Sequence, residues 1–447
     1  SLTKMSASEA LELYAEVLLK VQSHYVNAPD WKYLVDRGTT NFEQALADPT
    51  FIQNNLPRHA PTQIERFRRE LRMRLTSSGV TAKVDNRQAA RLVAATAGRL
   101  GHEQLGLNEA ATILEYVCGA TNALDPYSTF LTTGQLNEVY SQIEGNFVGL
   151  GVELKANEGS LLIVKVIAGS PAERGGIVSG DRIVAVDGRT TQELSTDQAA
   201  NMLQGKEGTV VQVTAIAPGG KPRTMNIRRE QVEVPSVDDA QIIDKTFGIG
   251  YLKLTCFQKT TSRDLDAALW KLHREGMKSL IMDLRGNPGG LLTTSVEVVD
   301  KFVDRGVIVS TKGRSSQEDY VYSAHEAGTW HVPLVVIIDG ESASASEIFA
   351  GAIRDHRRGT IVGTRSYGKG SVQGIFPLNT ANSGLRLTTA KFYSPNGQPY
   401  SLVGVSPDMQ VQQTARPAEG VDAQPIAKGD AALEAATGVA RRQVARR

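Results

Sequence analysis

The run Pro333-Leu334-Val335-Val336-Ile337-Ile338 is apolar throughout, and Glu341-Ser342-Ala343-Ser344-Ala345-Ser346-Glu347 follows it closely. An unbroken apolar run of this length is typical of a strand that is buried on both faces of an α/β sheet. The pattern Ser344-x-x-Glu347 ahead of a further apolar run indicates the start of a helix. The two stretches therefore predict a buried strand that leads into a helix, with Ser344 at the junction.

The same alternation of strands and helices extends over the segment from about 240 to 412. The pattern predicts strands at Phe247 to Phe257 and at Ser279 to Leu284, and helices at Thr261 to Glu275 and at Leu291 to Val303. Strands that alternate with helices are the mark of an α/β core. We expect this segment to form one domain.

Lys369 follows Ser344 by 25 residues, in the glycine-rich setting Tyr367-Gly368-Lys369-Gly370. A serine hydroxyl becomes an effective nucleophile only when a base removes its proton. A lysine can act as that base if burial lowers its pKa from about 10.4 toward 7 or 8, which disfavours the ammonium form by roughly 4 kcal/mol. The pair is therefore a candidate nucleophile and base.

Each residue of this pair also fits a plainer interpretation. Ser344 and Glu347 form a capping-box pattern, which requires no chemistry of the serine. The pattern Gly363-x-x-x-x-Gly368-Lys369 approaches a phosphate-binding loop, but Gly370 stands where that loop needs Ser or Thr. The following segment, 371–377, predicts a strand where a phosphate loop would require a helix. Nucleotide binding is therefore disfavoured.

Several ordered motifs resemble those of the carboxyl-terminal processing proteases, also called tail-specific proteases. The resemblance covers roughly residues 110 to 412. Its motifs are Asp125-Pro126-Tyr127-Ser128-Thr129-Phe130-Leu131, Asp283-Leu284-Arg285-Gly286-Asn287-Pro288-Gly289-Gly290, Ser344-Ala345-Ser346-Glu347, Gly368-Lys369-Gly370 with Gln373, Phe392-Tyr393-Ser394-Pro395-Asn396-Gly397 and Gly404-Val405-Ser406-Pro407-Asp408.

The resemblance implies a role for each matching residue. Ser344 would be the nucleophile, Lys369 the general base and Gln373 the residue that orients the lysine. The backbone N–H groups of Gly290 and Ala345 would form the oxyanion hole, in keeping with the unpaired N–H groups at a helix start. It also implies that the α/β core is a crotonase-like, ClpP-like spiral of β, β and α units.

The stretch from about 140 to 232 consists of short predicted strands separated by glycines, and it resembles a PDZ domain. Its motifs are Gly149-Leu150-Gly151-Val152, Gly169-Ser170-Pro171-Ala172, Gly180-Asp181-Arg182-Ile183 and Val186-Asp187-Gly188. The resemblance implies that Gly149, Leu150, Gly151 and Val152 receive the terminal carboxylate of a peptide. The peptide would add as a strand beside 152–154, with a helix near 196–203 as the other wall. A lid or spacer without peptide binding is the alternative.

The two ends of the chain differ in character. Residues 1 to about 135 predict helices, with an apolar stripe in the first that includes Leu11, Tyr14, Val17 and Leu18. This region is interpreted as a packing or dimerisation arm. Residues 414 to 447 are rich in alanine, arginine and small polar residues, which predicts a mobile tail that includes one short helix.

The composition restricts the classes of partner. The chain has 447 residues, 49 basic against 48 acidic, and a formal net charge of +1, which gives no support for nucleic-acid binding. Two cysteines and seven histidines show no metal-ligand spacing, so neither a metal nor another cofactor is predicted. No apolar run approaches the 18 or so residues of a membrane span. Resemblance implies an extracytoplasmic location, in a bacterial periplasm or envelope.

These observations predict a multidomain α/β serine endopeptidase with an inserted PDZ domain and a helical N-terminal region. Its partners would be proteins or peptides with exposed C-terminal tails, and a homo-oligomer or an activating adaptor protein is left open. Two other classes compete with it. One is a non-catalytic PDZ adaptor on a degenerate protease fold, and the other is a crotonase-type acyl-CoA enzyme, which would not require the PDZ-like segment.

Overall fold

A computed structural model describes residues 5–56, 58–157, 160–192, 194, 196–316, 319–411 and 429–446. The chain forms two compact units. The first comprises Ser1–Asn137, Val309–Tyr322 and Lys369–Leu402, and the second comprises Glu138–Ile308, Ser323–Gly368 and Val403–Arg447. The segment 240–412 therefore contributes to both units.

The helices, in chain order, are α1 (Ala7–His24), α2 (Trp31–Ala45), α3 (Pro49–Asn55), α4 (Pro61–Ser77), α5 (Arg87–Leu105), α6 (Glu109–Asn122), α7 (Thr133–Glu144), α8 (Pro171–Arg174), α9 (Thr196–Leu203), α10 (Thr261–Arg274), α11 (Leu292–Asp300), α12 (Ala345–Asp355) and α13 (Ala431–Ala445). The strands are β1 (Thr129–Leu131), β2 (Asn146–Gly149), β3 (Val152–Asn157), β4 (Ser160–Val166), β5 (Arg182–Val186), β6 (Arg189–Thr190), β7 (Val210–Ile216), β8 (Pro222–Arg228), β9 (Glu230–Glu233), β10 (Val237–Asp244), β11 (Ile249–Leu254), β12 (Ser279–Asp283), β13 (Gly306–Lys312), β14 (Tyr320–Ala324), β15 (Leu334–Ile338), β16 (Thr360–Gly363), β17 (Ser371–Pro377), β18 (Gly384–Tyr393) and β19 (Met409–Gln410).

The first unit packs the N-terminal helices against an antiparallel sheet. In that sheet β18 pairs with β1, β13 and β17, and β14 lies beyond β13. Tyr14, Val17 and Leu18 of the α1 stripe are buried in one core that also contains Phe130 of β1, and Leu11 is partly buried against it. The same core contains Leu385 and Leu387 of β18. Two polar contacts connect α1 and the residues just after it to the β17–β18 hairpin: Val26 N–H donates to Thr388 O at 2.8 Å, and Glu16 accepts from Asn379 N–H at 3.0 Å. The helices predicted for this region therefore support the hairpin that follows Lys369.

Glu115 is an acidic group that is partly buried between α6 and α2. Asn41 Nδ2 donates to its carboxylate at 2.6 Å. Burial, with a smaller contribution from the negative charge of Asp48, raises the pKa of Glu115 to about 7. The folded protein therefore holds this proton more tightly than the unfolded chain, so stability falls as pH rises from about 4.5 to about 7.

We expect Glu115→Gln to stabilise the protein at pH 8 by at most about 3 kcal/mol, because glutamine carries no charge to bury. The gain should be much smaller at pH 5, where the folded protein keeps the carboxyl protonated. Denaturant unfolding at the two pH values measures the difference. Glu103→Gln, at an exposed site on α5, is the matched control. An equal effect at both pH values would contradict the assignment.

The second unit is built on a mainly parallel sheet with the order β10-β11-β12-β15-β16-β19. Strand β10 is antiparallel to β11, and the remaining neighbours are parallel. Every residue of β12 and β15 is buried, as the sequence predicts for the apolar run at 334–338. The mixed α/β class is confirmed.

The C-terminal end of the chain differs from its prediction as a mobile tail over 414–447. Residues 412–428 lie outside the described part, but α13 is a well-formed helix that covers one face of the parallel sheet. Ala432, Ala436 and Ala440 are buried in one core with residues of β11, β12, β15 and β16. The sequence allowed a short helix in this region but did not predict its packing at 431–445, because alanines spaced four apart allow close helix–sheet contact without strong hydropathy.

A separate sheet lies within the second unit between residues 152 and 228. Its order is β3-β4-β5-β7-β8, with β6 paired to β5. It has its own apolar core, which includes Leu161, Ile163, Ile183 and Val213. Helix α9 lies against β3, so one strand edge and one helix form the two walls that the sequence predicts for a PDZ groove.

Candidate active site

Ser344 lies at the junction between β15 and α12, as the sequence predicts. Its backbone angles are φ 56° and ψ −113°, outside the regions that a residue with a Cβ ordinarily adopts. Such a conformation costs on the order of 1 to 3 kcal/mol and persists only where the surrounding structure enforces it. A strained turn between a buried strand and a helix presents the serine at the helix start, in the manner of a nucleophile elbow.

Glu347 holds this turn in place through a buried carboxylate. Its Oε2 atom accepts from Ser344 N–H at 2.8 Å. Its Oε1 atom accepts from Ser366 Oγ at 2.6 Å and from Gly368 N–H at 2.7 Å. The side chain is 1% exposed. Glu347 therefore joins the serine turn to the residue that directly precedes Lys369 in the chain.

A glycine turn at 286–290 packs against the serine turn. Asn287 is fully buried and organises it: Asn287 Nδ2 donates to Leu254 O at 2.8 Å, and Asn287 Oδ1 accepts from Gly289 N–H at 2.9 Å. The Asn287 carbonyl accepts from Ala343 N–H and from Ser346 Oγ, both at 3.0 Å. One asparagine therefore fixes the glycine turn and ties it to both sides of Ser344.

Gly290 and Ala345, the residues predicted for the oxyanion hole, both lie beside Gly289. A Cβ on Gly289 would lie 2.7 Å from Ala343 O and 2.9 Å from Ala345 N, so the two backbones are in direct contact. Gly290 has φ 145°, and a Cβ there would overlap the Phe257 carbonyl. Gly290 is exposed, and Ala345 is the first residue of α12, where N–H groups lack a partner within the helix. This arrangement suits two donors that converge on one oxygen.

Lys369 lies in the first unit, at the start of the β17–β18 hairpin. Its Nζ atom lies 4.9 Å from the centroid of the Tyr127 ring, within cation–π range. Asp125 accepts from Tyr127 N–H at 2.7 Å and from Ser128 N–H at 2.9 Å, which holds the motif in an Asx turn. Ser128 Oγ in turn accepts from Thr388 N–H at 3.1 Å on β18. The Asp-Pro-Tyr-Ser motif therefore places an aromatic face against the lysine.

Gln373 lies on β17, four residues after Lys369, which precedes the first residue of that strand. Its Nε2 atom donates to Ser371 Oγ at 2.8 Å. The β17–β18 register shifts between Val372 and Gln373, and such irregularities re-aim side chains next to functional sites. The orienting role predicted for Gln373 remains a prediction.

The structure thus brings Ser344, Ala345 and Gly290 together in the second unit, and it places Lys369 just before β17 and Gln373 on β17 in the first unit. Sequence reasoning assigned no role to Tyr127 and treated Glu347 only as part of a helix cap. The Tyr127 motif was visible in the sequence, but its contact with Lys369 was not. Such contacts join residues that are far apart in the chain.

The predicted carboxylate-binding loop connects β2 to β3. Leu150 O accepts from Ala172 N–H at 2.8 Å, and Gly151 O accepts from Ile167 N–H at 2.9 Å. Gly151 has φ 83°, and a Cβ there would overlap the Ser170 side chain, so the loop requires glycine at this position. Gly149 ends β2, and Val152 begins β3. The four predicted residues therefore run from the last residue of β2 to the first residue of β3, which is the edge strand of its sheet.

The described residues contain neither a cluster of potential metal ligands nor a helix that could span a membrane. Within those ranges no three His, Cys, Asp or Glu side chains gather in a way that could hold a metal ion. Every helix in the same ranges is too short or too polar to cross a bilayer.

Comparison with known families matches both parts of this architecture. Residues 248–411 match peptidase family S41, and residues 162–229 match the PDZ domain. The first match contains the glycine turn, Ser344, Lys369 and Gln373, and the second contains most of the separate sheet. The class is therefore a peptidase that carries a PDZ domain.

Two relatives by sequence agree with this class. The carboxy-terminal-processing protease of Bartonella bacilliformis is 38% identical over 301 residues, which cover 66% of this chain and 68% of the relative. A probable CtpA-like serine protease of Staphylococcus haemolyticus is 31% identical over 289 residues, which cover 64% of this chain and 57% of the relative. Among solved structures, a photosystem II D1 C-terminal processing protease is 26% identical, with a TM-score of 0.45 over 90% of this chain and 93% of that one. The chain belongs to peptidase family S41, among the carboxy-terminal-processing proteases.

Proposed function

We propose that this chain is a serine endopeptidase that captures exposed C-terminal tails and cleaves peptide bonds through an acyl-enzyme. Ser344 is the nucleophile, Lys369 the general base and Gln373 the residue that orients the lysine. The observation that carries the proposal is the strained backbone of Ser344, held at a helix start directly against the glycine turn. A non-catalytic adaptor would gain nothing from maintaining that strain.

The proposed reaction has two halves. Lys369 Nζ, in its neutral form, takes the Ser344 proton while Oγ attacks the scissile carbonyl, and the N–H groups of Gly290 and Ala345 stabilise the oxyanion. The intermediate collapses as the lysinium returns the proton to the leaving amine, which releases one product and leaves an ester on Ser344. Water, deprotonated by the same lysine, then hydrolyses the ester. No metal or organic cofactor enters either step.

The PDZ domain supplies the proposed tail selectivity. The β3 edge can accept an added strand, and the loop of Gly149, Leu150, Gly151 and Val152 can direct backbone N–H groups toward the terminal carboxylate. The tail would thus be held by one domain while the Ser344 site cleaves elsewhere in the chain. By extension from its family, we propose that the protein works outside the cytoplasm, in a bacterial periplasm or envelope. Finding it solely in the cytosolic fraction of its cells would contradict that location.

A matched pair of substrates tests tail capture. We expect a long unfolded substrate with a free C-terminal carboxylate to be cleaved with a kcat/KM about 10- to 100-fold higher than its C-terminal amide. The reason is that a charge-assisted hydrogen bond contributes roughly 1.5 to 3 kcal/mol.

A short peptide that spans only the cleavage site is the control, because its acid and amide forms should be cleaved at similar rates. Equal kcat/KM values for the two long substrates would leave the PDZ domain as a lid or spacer. Cleavage of neither form, with hydrolysis of an acyl-CoA instead, would contradict the peptidase assignment itself.

A further inference from the structure

The C-terminal helix makes a specific polar contact with the segment that leads into the glycine turn. Asp430 is the N-cap of α13 and accepts from Leu433 N–H at 3.0 Å. The same carboxylate accepts a hydrogen bond from Arg285, with Nη1 to Oδ1 at 2.9 Å, and Arg285 Nη2 lies 2.8 Å from Oδ2 in an ion pair. A charge-assisted hydrogen bond and an ion pair between the same two groups restrict the orientation of the guanidinium relative to the carboxylate.

Arg285 is held equally firmly from its other side. Its Nε atom donates to Asp283 Oδ1 at 3.0 Å, and Nη2 donates to Asp283 Oδ2 at 2.6 Å. Tyr251 OH donates to the same Asp283 carboxylate at 3.0 Å. The side chain of Asp283 is 2% exposed and that of Arg285 is 19% exposed. One guanidinium therefore bridges a buried carboxylate on β12 and a second carboxylate at the start of α13.

The Arg285 bridge lies next to the glycine turn in the chain and therefore restrains one end of that turn. Arg285 directly precedes the turn 286–290. At the far end of the turn, Leu291 N–H donates to Phe257 O at 2.7 Å, and Phe257 N–H donates to Gly289 O at 2.9 Å. At the near end, Gly286 N–H donates to Asp339 Oδ1 at 3.1 Å, and the Arg285 bridge adds the side-chain restraint. The near end therefore depends partly on a residue at the start of the C-terminal helix.

We propose that Asp430 is a positioning residue for the glycine turn: by fixing Arg285 it holds Gly290 where its N–H can receive the oxyanion. Helix α13 then contributes to the geometry of the active site, although it lies beyond the family match, which ends at residue 411. The inference rests on the proposed function of Gly290. It adds a residue that the family's motifs do not contain.

Asp430→Asn tests the ion pair with Arg285 separately from the helix cap that Asp430 also provides. Asparagine caps a helix about as well as aspartate, so α13 should remain folded while the charge pair with Arg285 is lost. Arg441→Gln is the matched control, because Arg441 forms another ion pair on α13, to Asp244 at 2.7 Å. We expect Asp430→Asn to lower kcat roughly 5- to 30-fold with little change in KM, and Arg441→Gln to leave both near wild type.

Two readouts separate positioning from general destabilisation. A peptide aldehyde forms a tetrahedral adduct on the serine, so Asp430→Asn should weaken its binding by about the same factor as it lowers kcat. Hydrogen exchange should quicken at residues 286–291 in Asp430→Asn but not in Arg441→Gln.

Unchanged exchange in this turn would overturn the inference whether or not the enzyme is active. So would a drop in kcat without weaker aldehyde binding. A wild-type protein that cleaves no peptide would instead contradict the proposed function, and the exchange measurement would still decide the role of Asp430.

Discussion

Ser344→Ala and Lys369→Ala should each reduce kcat for peptide hydrolysis by at least about 10⁴-fold. The nucleophile and its base act in one step, so removing either removes the covalent route, and the double variant should be little worse than the single ones. Lys369→Arg should fail as well, because a guanidinium stays protonated at any working pH and cannot accept the serine proton.

The measurement is steady-state cleavage of an unfolded protein substrate, with products mapped by mass spectrometry. Thermal unfolding of each variant shows whether the fold persists. Lys312→Ala is the matched control for the lysine, because Lys312 lies over the ring of Tyr393 at 5.2 Å in the same unit. A folded Ser344→Ala or Lys369→Ala protein that retains wild-type turnover would remove that residue from the mechanism.

Glu347→Gln should lower kcat by about 30- to 10³-fold. The buried carboxylate accepts from Ser344 N–H, Ser366 Oγ and Gly368 N–H among its partners, and an amide would turn a donor of its own toward one of these three donors. Loss of a charge-assisted bond, with a buried polar group left unpaired, costs roughly 2 to 4 kcal/mol, and each 1.36 kcal/mol is tenfold in rate. The loss should fall on kcat rather than KM, because Glu347 sets the Ser344 turn and does not bind the substrate.

Ser366→Ala gives a graded comparison for Glu347. It removes one of the three donors and leaves the carboxylate in place, so we expect a loss of only about tenfold. Both variants should be assayed for kcat and KM beside their thermal unfolding. If Glu347→Gln raised KM alone, or if Ser366→Ala were the more damaging of the two, the carboxylate would not be the residue that holds the turn.

Local sequence patterns located much of this structure because they reflect local physics. Strand β17 has the predicted bounds 371–377, and the buried strand and the helix that follows it lie where the apolar run and the Ser344-x-x-Glu347 pattern place them. A backbone position with positive φ, such as that of Gly151, can also be predicted from the sequence, because glycine is the residue that adopts it most readily.

What the patterns missed depends on contacts between distant parts of the chain. The sequence identifies Glu347 only as part of a helix cap. The structure shows that Ser366 and Gly368 also donate hydrogen bonds to its carboxylate. In the sequence, the C-terminal helix has the composition of a polar, alanine-rich tail. Its small residues add little to the hydropathy of the segment, although they pack closely on the sheet. The contact between Asp430 and Arg285 joins an acidic and a basic residue that lie far apart in the sequence, so no local pattern predicts it.

Trapping the acyl-enzyme tests the central claim most directly. A peptide ester that deacylates slowly is mixed with the protein, and the reaction is quenched in acid within its first turnover. The protein is then digested and its peptides are weighed by mass spectrometry. If Ser344 is the nucleophile, the acyl group is found on the peptide that contains Ser344, and the Ser344→Ala protein forms no such adduct. An acyl group on another side chain, or continued turnover with Ser344 unmodified at every time point, would contradict it.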